Sequence, residues 1–201
     1  LLLFVYVYPY LVQASLQLNP DEAFHAREIW ELLQGRDFFQ YYEGVNYHGI
    51  LGGLAAIPFY KFLGIYPVPF KLPAIIFYGF FIWTTFLILR TFNPFAGWVA
   101  TIFLLLPPPW VIHSAVILNV PFALIFFLGN LPFLYLIKKK LNHGSPYVTT
   151  FLLAFYSGLA IYAFTYSILH IFTVGLVLAL THPKWSQIRP YLSIHTLAQP
   201  F

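Results

Sequence analysis

Residues 72–89 read LPAIIFYGFFIWTTFLIL, an uncharged run that Lys71 and Arg90 flank. A helix of this length is long enough to cross the hydrocarbon core of a bilayer. Other apolar runs lie on both sides of it, and the chain is 60% hydrophobic and only 8% charged. Because this composition leaves too little polar surface to cover a soluble globule, it predicts an all-α, polytopic helical membrane protein.

The acidic residues are confined to one short segment, 21–43, and the rest of the chain has none. Two arginines in the segment leave it with a net charge of −4, whereas the remainder carries +8. The positive net charge is better explained by orientation in a membrane than by binding to nucleic acid, because the sequence has no basic stripe with interleaved aromatics. An ionisable cluster in one loop of a membrane protein predicts a functional site, although a solvated loop also tolerates charge. The carboxylates are Asp21, Glu22, Glu28, Glu31, Asp37 and Glu43.

The positive-inside rule gives a topology of about six crossings, with Arg90, the lysines 138–140 and the tail on the cytoplasmic side. Residues 50–64 would form a helix of only about 22 Å, so we expect an interfacial or re-entrant helix there. The expected divisions are a first helix at 1–17, an external loop with surface helices at 18–66, five transmembrane helices within 67–183 and a cytoplasmic tail at 184–201. The chain opens on Leu1 and contains no Met, which predicts a fragment of a longer chain, and with no Cys it has no disulfide.

The polar loop opens on Asn19-Pro20-Asp21-Glu22. This pattern is typical of a helix start, with Asn as N-cap, Pro in the first turn and carboxylates that complement the helix dipole. The same carboxylates could serve as a base beside a lipid-borne substrate. His25 follows Glu22 by three residues and Glu28 follows His25 by three, which places them on one helix face. One divalent metal ion held by Asp21 or Glu22 with His25 is a further prediction, and otherwise His25 is an ordinary loop histidine.

The loop closes on Tyr41-Tyr42-Glu43-Gly44-Val45-Asn46-Tyr47-His48-Gly49. Its aromatics are typical of an interfacial belt. Glu43, Asn46 and His48 among glycines are also typical of a sugar or phosphate pocket. The basic candidates for contact with a phosphate are Arg27, Arg36 and Lys61, each of which is alternatively a solvated or snorkelling side chain.

The order of these features resembles the amino-terminal module of GT-C glycosyltransferases, in particular the protein O-mannosyltransferase-like group, and the likeness covers nearly the whole chain. The resemblance rests on an Asp-Glu pair after a first helix, a second helix ending near Arg36-Asp37, and the order Tyr-x-Gly-x-Asn-Tyr-His-Gly-Ile-Leu-Gly-Gly-Leu over 42–54. Ile-Pro-Phe-Tyr-Lys-Phe-Leu-Gly follows at 57–64, and Leu104 to Pro109 is similar to the ending of the family's third helix.

The resemblance implies transfer of a sugar from a polyprenyl-phosphate donor to an acceptor on the non-cytoplasmic side of a bacterial inner membrane. Asp21, with Glu22 beside it, would match the catalytic carboxylate, and His48 a position near the donor. Family members carry a second acidic residue after the third crossing, where this chain offers His113, Ser114 and Asn119. His113 is therefore the substrate-binding candidate there. The alternative is a non-catalytic GT-C-like scaffold or accessory subunit that packs against protein partners in a membrane complex.

Overall fold

The structure, a computed structural model, describes residues 2–16, 20–44, 49–112, 122–142 and 146–181. These residues form ten α-helices, and an isolated antiparallel bridge joins Tyr41 to Gly49. The prediction of an all-α fold is confirmed. In chain order the helices are α1 (Leu2–Leu16), α2 (Pro20–Leu33), α3 (Leu51–Leu54), α4 (Ile57–Leu63), α5 (Pro67–Arg90), α6 (Pro94–Leu105), α7 (Pro109–Ile112), α8 (Phe122–Asn142), α9 (Pro146–Ala163) and α10 (Ser167–Thr181).

Proline marks where many of the helices begin. It suits the first helical position because its fixed φ matches the helix and its missing N–H would have had no partner there. At the start of α6, the Asn93 side chain also accepts a hydrogen bond of 2.9 Å from the backbone N–H of Phe95. The helices that open on proline are α2, α5, α6, α7 and α9, at Pro20, Pro67, Pro94, Pro109 and Pro146.

Helix α5 is the centre of the bundle and packs against α1, α4, α6 and α8, while α8 packs in turn against α9 and α10. One apolar cluster joins α1, α5 and the start of α8, and a second joins α8 to α9 and residue 164 beyond its end. The first consists of Val7, Ile75, Tyr78, Ile82 and Ala123, and the second of Leu124, Ile125, Leu128, Ala160, Ala163 and Phe164.

The segment between α1 and α5 has an apolar core of its own. Its buried members come from α2, from the stretch 42–50, from α4 and its start, and from the first turns of α5. Because Phe70 of α5 belongs to this cluster, the segment is fixed against the end of the bundle rather than extending freely from it. The members are Ile29, Tyr42, Ile50, Ala56, Tyr60 and Phe70.

Two features differ from what the sequence indicated. Residues 50–64 form two short helices, α3 and α4, broken at Ala55 and Ala56, instead of one continuous helix. Lys71, which the sequence placed as a flank of the apolar run, lies inside α5 and is fully buried. The reason is that Pro67 and Pro69 are well suited to a first turn, so α5 begins earlier than its uncharged run does.

By length and composition, α5 is the one helix in the described part of the chain that could span a membrane. Only 39% of its most apolar window is buried, and Ile76, Phe80 and Trp83 within it are exposed. Large apolar side chains on α6 and α10 are exposed as well, including Phe95, Phe103, Leu169 and Phe172.

Candidate functional site

Helix α2 positions the acidic residues. It begins at Pro20 and places Asp21 and Glu22 in its first turn, as the N-terminal pattern predicts. The side chains of Asp21 and Glu22, together with Asn19, lie outside the described part of the structure. The helix ends near Gly35, whose φ of 98° is in the left-handed region that glycine tolerates best.

Glu28 is the most deeply placed carboxylate among the described residues, with only 2% of its surface exposed. Its Oε1 accepts a hydrogen bond of 3.0 Å from the backbone N–H of Glu43 and lies 3.9 Å from Nη1 of Arg36. Its Oε2 is buried without a hydrogen-bond partner. Burial raises the pKa of Glu28, and the Glu43 hydrogen bond and the Arg36 charge oppose that rise. Glu28 is therefore a carboxylate with one satisfied and one unsatisfied oxygen.

Arg36 connects the carboxylates around Glu28. Its Nη1 donates to Oε2 of Glu31 at 2.8 Å, and its Nη2 donates to Oε2 of Glu43 at 3.3 Å. The guanidinium also lies over the ring of Phe39, 5.3 Å from its centroid. These hydrogen bonds raise the pKa of Arg36, while the hydrogen bond from Arg27 to Glu31, 2.7 Å long, is the main reason that the pKa of Glu31 is lowered. The result is an alternating network of carboxylates and guanidinium groups.

His25 and Tyr42 form the inner wall of the site. Their rings stack with 3.8 Å between centroids, and both side chains are buried. Burial also raises the pKa of the Tyr42 hydroxyl, and a hydrogen bond with the Gly53 backbone opposes that rise. A Cβ at Gly53 would collide with the Tyr42 hydroxyl and with Ile29, so α3 can approach this closely only because residue 53 has no side chain.

The stretch 40–49 is attached to the end of α9. The Tyr162 hydroxyl donates a hydrogen bond of 2.5 Å to the carbonyl of Gln40, and the Gly49 N–H donates one of 3.2 Å to the carbonyl of Ala163. Tyr41 and Tyr162 also meet edge to face at 5.5 Å. The site is thus held between α2, the α3–α4 pair and the α9 terminus.

The structure brings together some of the residues predicted from sequence. His25 and Glu43 belong to the cluster, but His25 is packed inside it and Glu43 lies at its exposed rim. Arg27 is exposed and engaged with Glu31, which agrees with the solvated alternative. Lys61 is exposed in the last turn of α4, and no described hydrogen bond or ion pair joins it to the cluster. Asn46, His48 and His113 lie outside the described residues.

The metal prediction has no support from the described side chains, since no group of three or more His, Asp or Glu side chains among them could hold an ion. His25 stacks on Tyr42 inside the packed core, an environment in which a ligand ring has little room to turn. A site that used Asp21 stays a prediction, because that side chain lies outside the described part.

Sequence reasoning missed Tyr42 and Gly53 as structural determinants of the site, and it missed a second polar cluster within the bundle. The signal for the first was the pair Gly52-Gly53 inside an apolar run, which often marks a close approach of backbone. The signal for the second was polar residues isolated in apolar helices, Thr84, Thr85, Asn130 and His170.

The two cavities that lie beside α10 include no residue of 20–43. The site around Glu28 is a charged cluster in which Glu28 is enclosed and its partners lie nearer the surface. No family model, curated protein or solved structure matches this chain.

Proposed function

We propose that this chain is a membrane glycosyltransferase module of the GT-C type, which transfers a sugar from a polyprenyl-phosphate donor to an acceptor on the non-cytoplasmic side. The observation that carries the proposal is the concentration of all six carboxylates in one segment that packs against the end of an apolar bundle and buries Glu28. A buried carboxylate with an unpartnered oxygen is expensive to maintain unless a substrate or a proton uses it.

The proposed membrane arrangement has six crossings, made by α1, α5, α6, α8, α9 and α10. The length and outward apolar surface of α5 support it, as do the exposed phenylalanines of α6 and α10. In this arrangement residues 18–66 lie on the non-cytoplasmic side of a bacterial inner membrane, and the lysines 138–140 lie in the cytoplasm. The donor lipid would then approach the segment from the bilayer.

In the proposed reaction, the acceptor hydroxyl attacks the anomeric carbon of the donor sugar. The new carbon–oxygen bond forms as the bond to the phosphate oxygen breaks, and polyprenyl phosphate leaves with that electron pair. Asp21, in the first turn of α2, takes the proton of the acceptor hydroxyl, and Glu22 lies beside it. Glu28 is proposed as a positioning residue that holds the 43–44 turn through the Glu43 N–H.

The departing phosphate needs a positive partner. Arg27 and Arg36 are bonded to carboxylates in the structure, so a phosphate would have to compete with Glu31 and Glu43 for them. Lys61 is exposed on the neighbouring helix α4 and is the described cation we assign to the phosphate, with His48, Asn46 and His113 as the proposed sugar contacts.

A second candidate function is that of a non-catalytic scaffold subunit in a membrane complex. The observation that favours it is the mutual pairing of Arg27, Arg36, Glu31 and Glu43, because charges that pair with one another are suited to holding the loop.

The test is sugar transfer from a polyprenyl-phosphate donor by the full-length native protein, with Asp21→Asn compared with Asp37→Asn. Asp37 is exposed and lies in the same segment, so it is a matched control. Loss of transfer by at least a hundredfold in Asp21→Asn alone is expected for a general base. A full-length wild type without activity favours the scaffold, and unchanged activity in Asp21→Asn removes Asp21 from the mechanism. Loss of activity on chelation, restored by one divalent ion, would support the metal site.

A further inference from the structure

A polar network crosses the bundle between α5, α8 and α10. The side-chain amide of Asn130 donates hydrogen bonds to the hydroxyls of Thr84 at 3.1 Å and Thr85 at 3.0 Å. Its carbonyl oxygen lies 3.3 Å from Nε2 of His170. Asn130 and Thr84 are buried, at 3% and 0% exposed. Buried polar side chains inside a helical bundle need hydrogen-bond partners, and here α5, α8 and α10 all contribute to the network.

This network fixes the tautomer of His170. Both amide hydrogens of Asn130 are used by the threonines, so its oxygen must accept a hydrogen from Nε2 of His170. Nδ1 of the neutral ring is then an acceptor. A methyl group at Gly129 of α8 would meet Cδ2 and Nε2 of His170 before the rest of the ring. The Cδ2–Nε2 edge of the ring therefore lies against α8. The acceptor edge is consequently turned away from α8.

A cavity of about 370 Å³ lies beside His170, at the end of the bundle that carries residues 40–49. Its wall is aromatic, from Phe122, Phe126, Phe164 and Tyr166, and its polar members are Ser167, His170 and Thr173. The Ser167 hydroxyl is buried, in a residue 2% exposed, and has no hydrogen-bond partner. Ser167 and His170 are three residues apart on α10 and therefore share a face.

A second cavity of about 420 Å³ is next to the first, since His170 and Thr173 line both. It is bounded by apolar residues of α5 and α6, among them Ile88, Leu89 and Ala96. The two volumes together offer an apolar path along α10 with one polar end, at Ser167. This shape fits a single chain better than a compact ligand.

We propose that these cavities bind a neutral single-chain lipid whose polar end is a hydroxyl group. The ligand hydroxyl donates to Nδ1 of His170 and accepts from Ser167, which satisfies the otherwise unpartnered hydroxyl, and the chain lies along α10 in the second cavity. The residues that line the cavities include no Lys, Arg, Asp or Glu. A phosphate or carboxylate headgroup would therefore be buried without a counter-charge, which is unfavourable. This site is separate from the sugar transfer proposed above.

The experiment uses the full chain in nanodiscs and a photoreactive long-chain primary alcohol as the probe. Crosslinks are mapped by peptide mass spectrometry, and affinity is measured by competition with the unmodified alcohol, the alkane, the alkyl phosphate and the fatty acid. We expect labelling within 122–130 and 164–174, with the alcohol the strongest competitor.

Ser167→Ala should weaken alcohol binding about fivefold and leave alkane binding unchanged, because one hydrogen bond is lost. Ser157→Ala, a half-buried serine of α9 that lines neither cavity, should change nothing. His170→Leu should abolish the preference for alcohol over alkane. If the His170→Leu variant does not fold, the comparison of Ser167→Ala with Ser157→Ala tests the proposal. The proposal is overturned if labels fall elsewhere, if alkyl phosphate or fatty acid competes better than alcohol, or if Ser167→Ala and Ser157→Ala behave alike.

Discussion

The imidazole of His25 lies nearly parallel to the phenol ring of Tyr42, with 3.8 Å between centroids and 23° between planes. This contact joins α2 to the stretch that follows it, at the point where Glu28 also accepts the Glu43 N–H. Burial is the main cause of the raised pKa of both Glu28 and Tyr42, and the Glu28 charge adds to the rise at Tyr42. The electrostatics of the site depend on this aromatic packing.

Tyr42→Ala should lower the free energy of unfolding by about 3–5 kcal/mol, because it removes a buried ring from the cluster around Ile29. Tyr42→Phe keeps the stack and removes the hydroxyl, with its hydrogen bond from the Gly53 backbone, so about 1 kcal/mol is expected. The neighbouring Tyr41 is 40% exposed and serves as control, since Tyr41→Ala should change stability far less. Chemical denaturation in detergent measures all three, and equal losses at positions 41 and 42 would contradict the packing described.

Gly53→Ala should destabilise the protein by about 1–3 kcal/mol, because the new methyl group would overlap the Tyr42 hydroxyl and Ile29. Gly79→Ala is the matched control, because Gly79 lies within α5 and a Cβ there meets nothing within 4 Å. That substitution should stabilise by roughly 0.5–1 kcal/mol through helix propensity. Thermal unfolding of both variants checks the contrast, and a neutral Gly53→Ala would show that α3 does not approach α2 this closely.

Glu28→Gln should change the pH dependence of stability above pH 4.5, the ordinary pKa of a glutamate. Because the folded pKa of Glu28 is raised, its contribution to stability is fully present below 4.5 and declines as pH rises through the folded pKa. The glutamine variant lacks this decline, so its stability relative to wild type should increase with pH in that window.

Glu31→Gln is the control for that experiment. The pKa of Glu31 is lowered, mainly by the hydrogen bond from Arg27, so its contribution is present above 4.5 and is lost as pH falls through the folded pKa. The effect of Glu31→Gln on the free energy of unfolding should therefore change with pH below 4.5. Unfolding curves recorded on both sides of that value separate the two carboxylates, and identical profiles would mean that Glu28 is not buried in solution.

Thr84→Val should cost about 1 kcal/mol, because one amide hydrogen of Asn130 loses its acceptor inside the bundle. Thr101→Val is the matched control, because the same exchange of side chains there removes only a hydrogen bond to the Gly97 carbonyl in its own helix. The loss there should be less than about 0.5 kcal/mol. Denaturation in matched micelles tests the difference, and an inverted order would argue against the Asn130 network.

Single cysteines can test the proposed topology, because the chain contains no native Cys. Gln34→Cys and Tyr66→Cys place exposed thiols before and after α3 and α4. Ser186→Cys adds a thiol within the predicted tail, 184–201. A membrane-impermeant maleimide should label the first two from the non-cytoplasmic side and the third from the cytoplasm. Labelling of residues 34 and 66 from opposite sides would mean that 50–64 crosses the bilayer.

The apolar runs by themselves determined where most helices lie, because many of the runs are bounded by proline or by charge. The sequence gives α5 as an element long enough to span, the break between α9 and α10 at Thr165-Tyr166, and the helix start at Pro20-Asp21-Glu22. These features are local, since backbone φ, missing donors and hydropathy act within a few residues. The grouping of all carboxylates within 21–43 was equally visible without coordinates.

Only the tertiary structure decided which of those carboxylates is buried. Glu28 and Glu31 are neighbours on one helix, yet Glu28 is enclosed and Glu31 pairs with two arginines at the surface. The difference arises because Tyr42 and Glu43 pack over one side of α2, and Gly53 allows α3 to lie against Tyr42 and Ile29. The Asn130 network likewise joins residues 40 or more positions apart, and burial and pairing of this kind depend on contacts that no local pattern encodes.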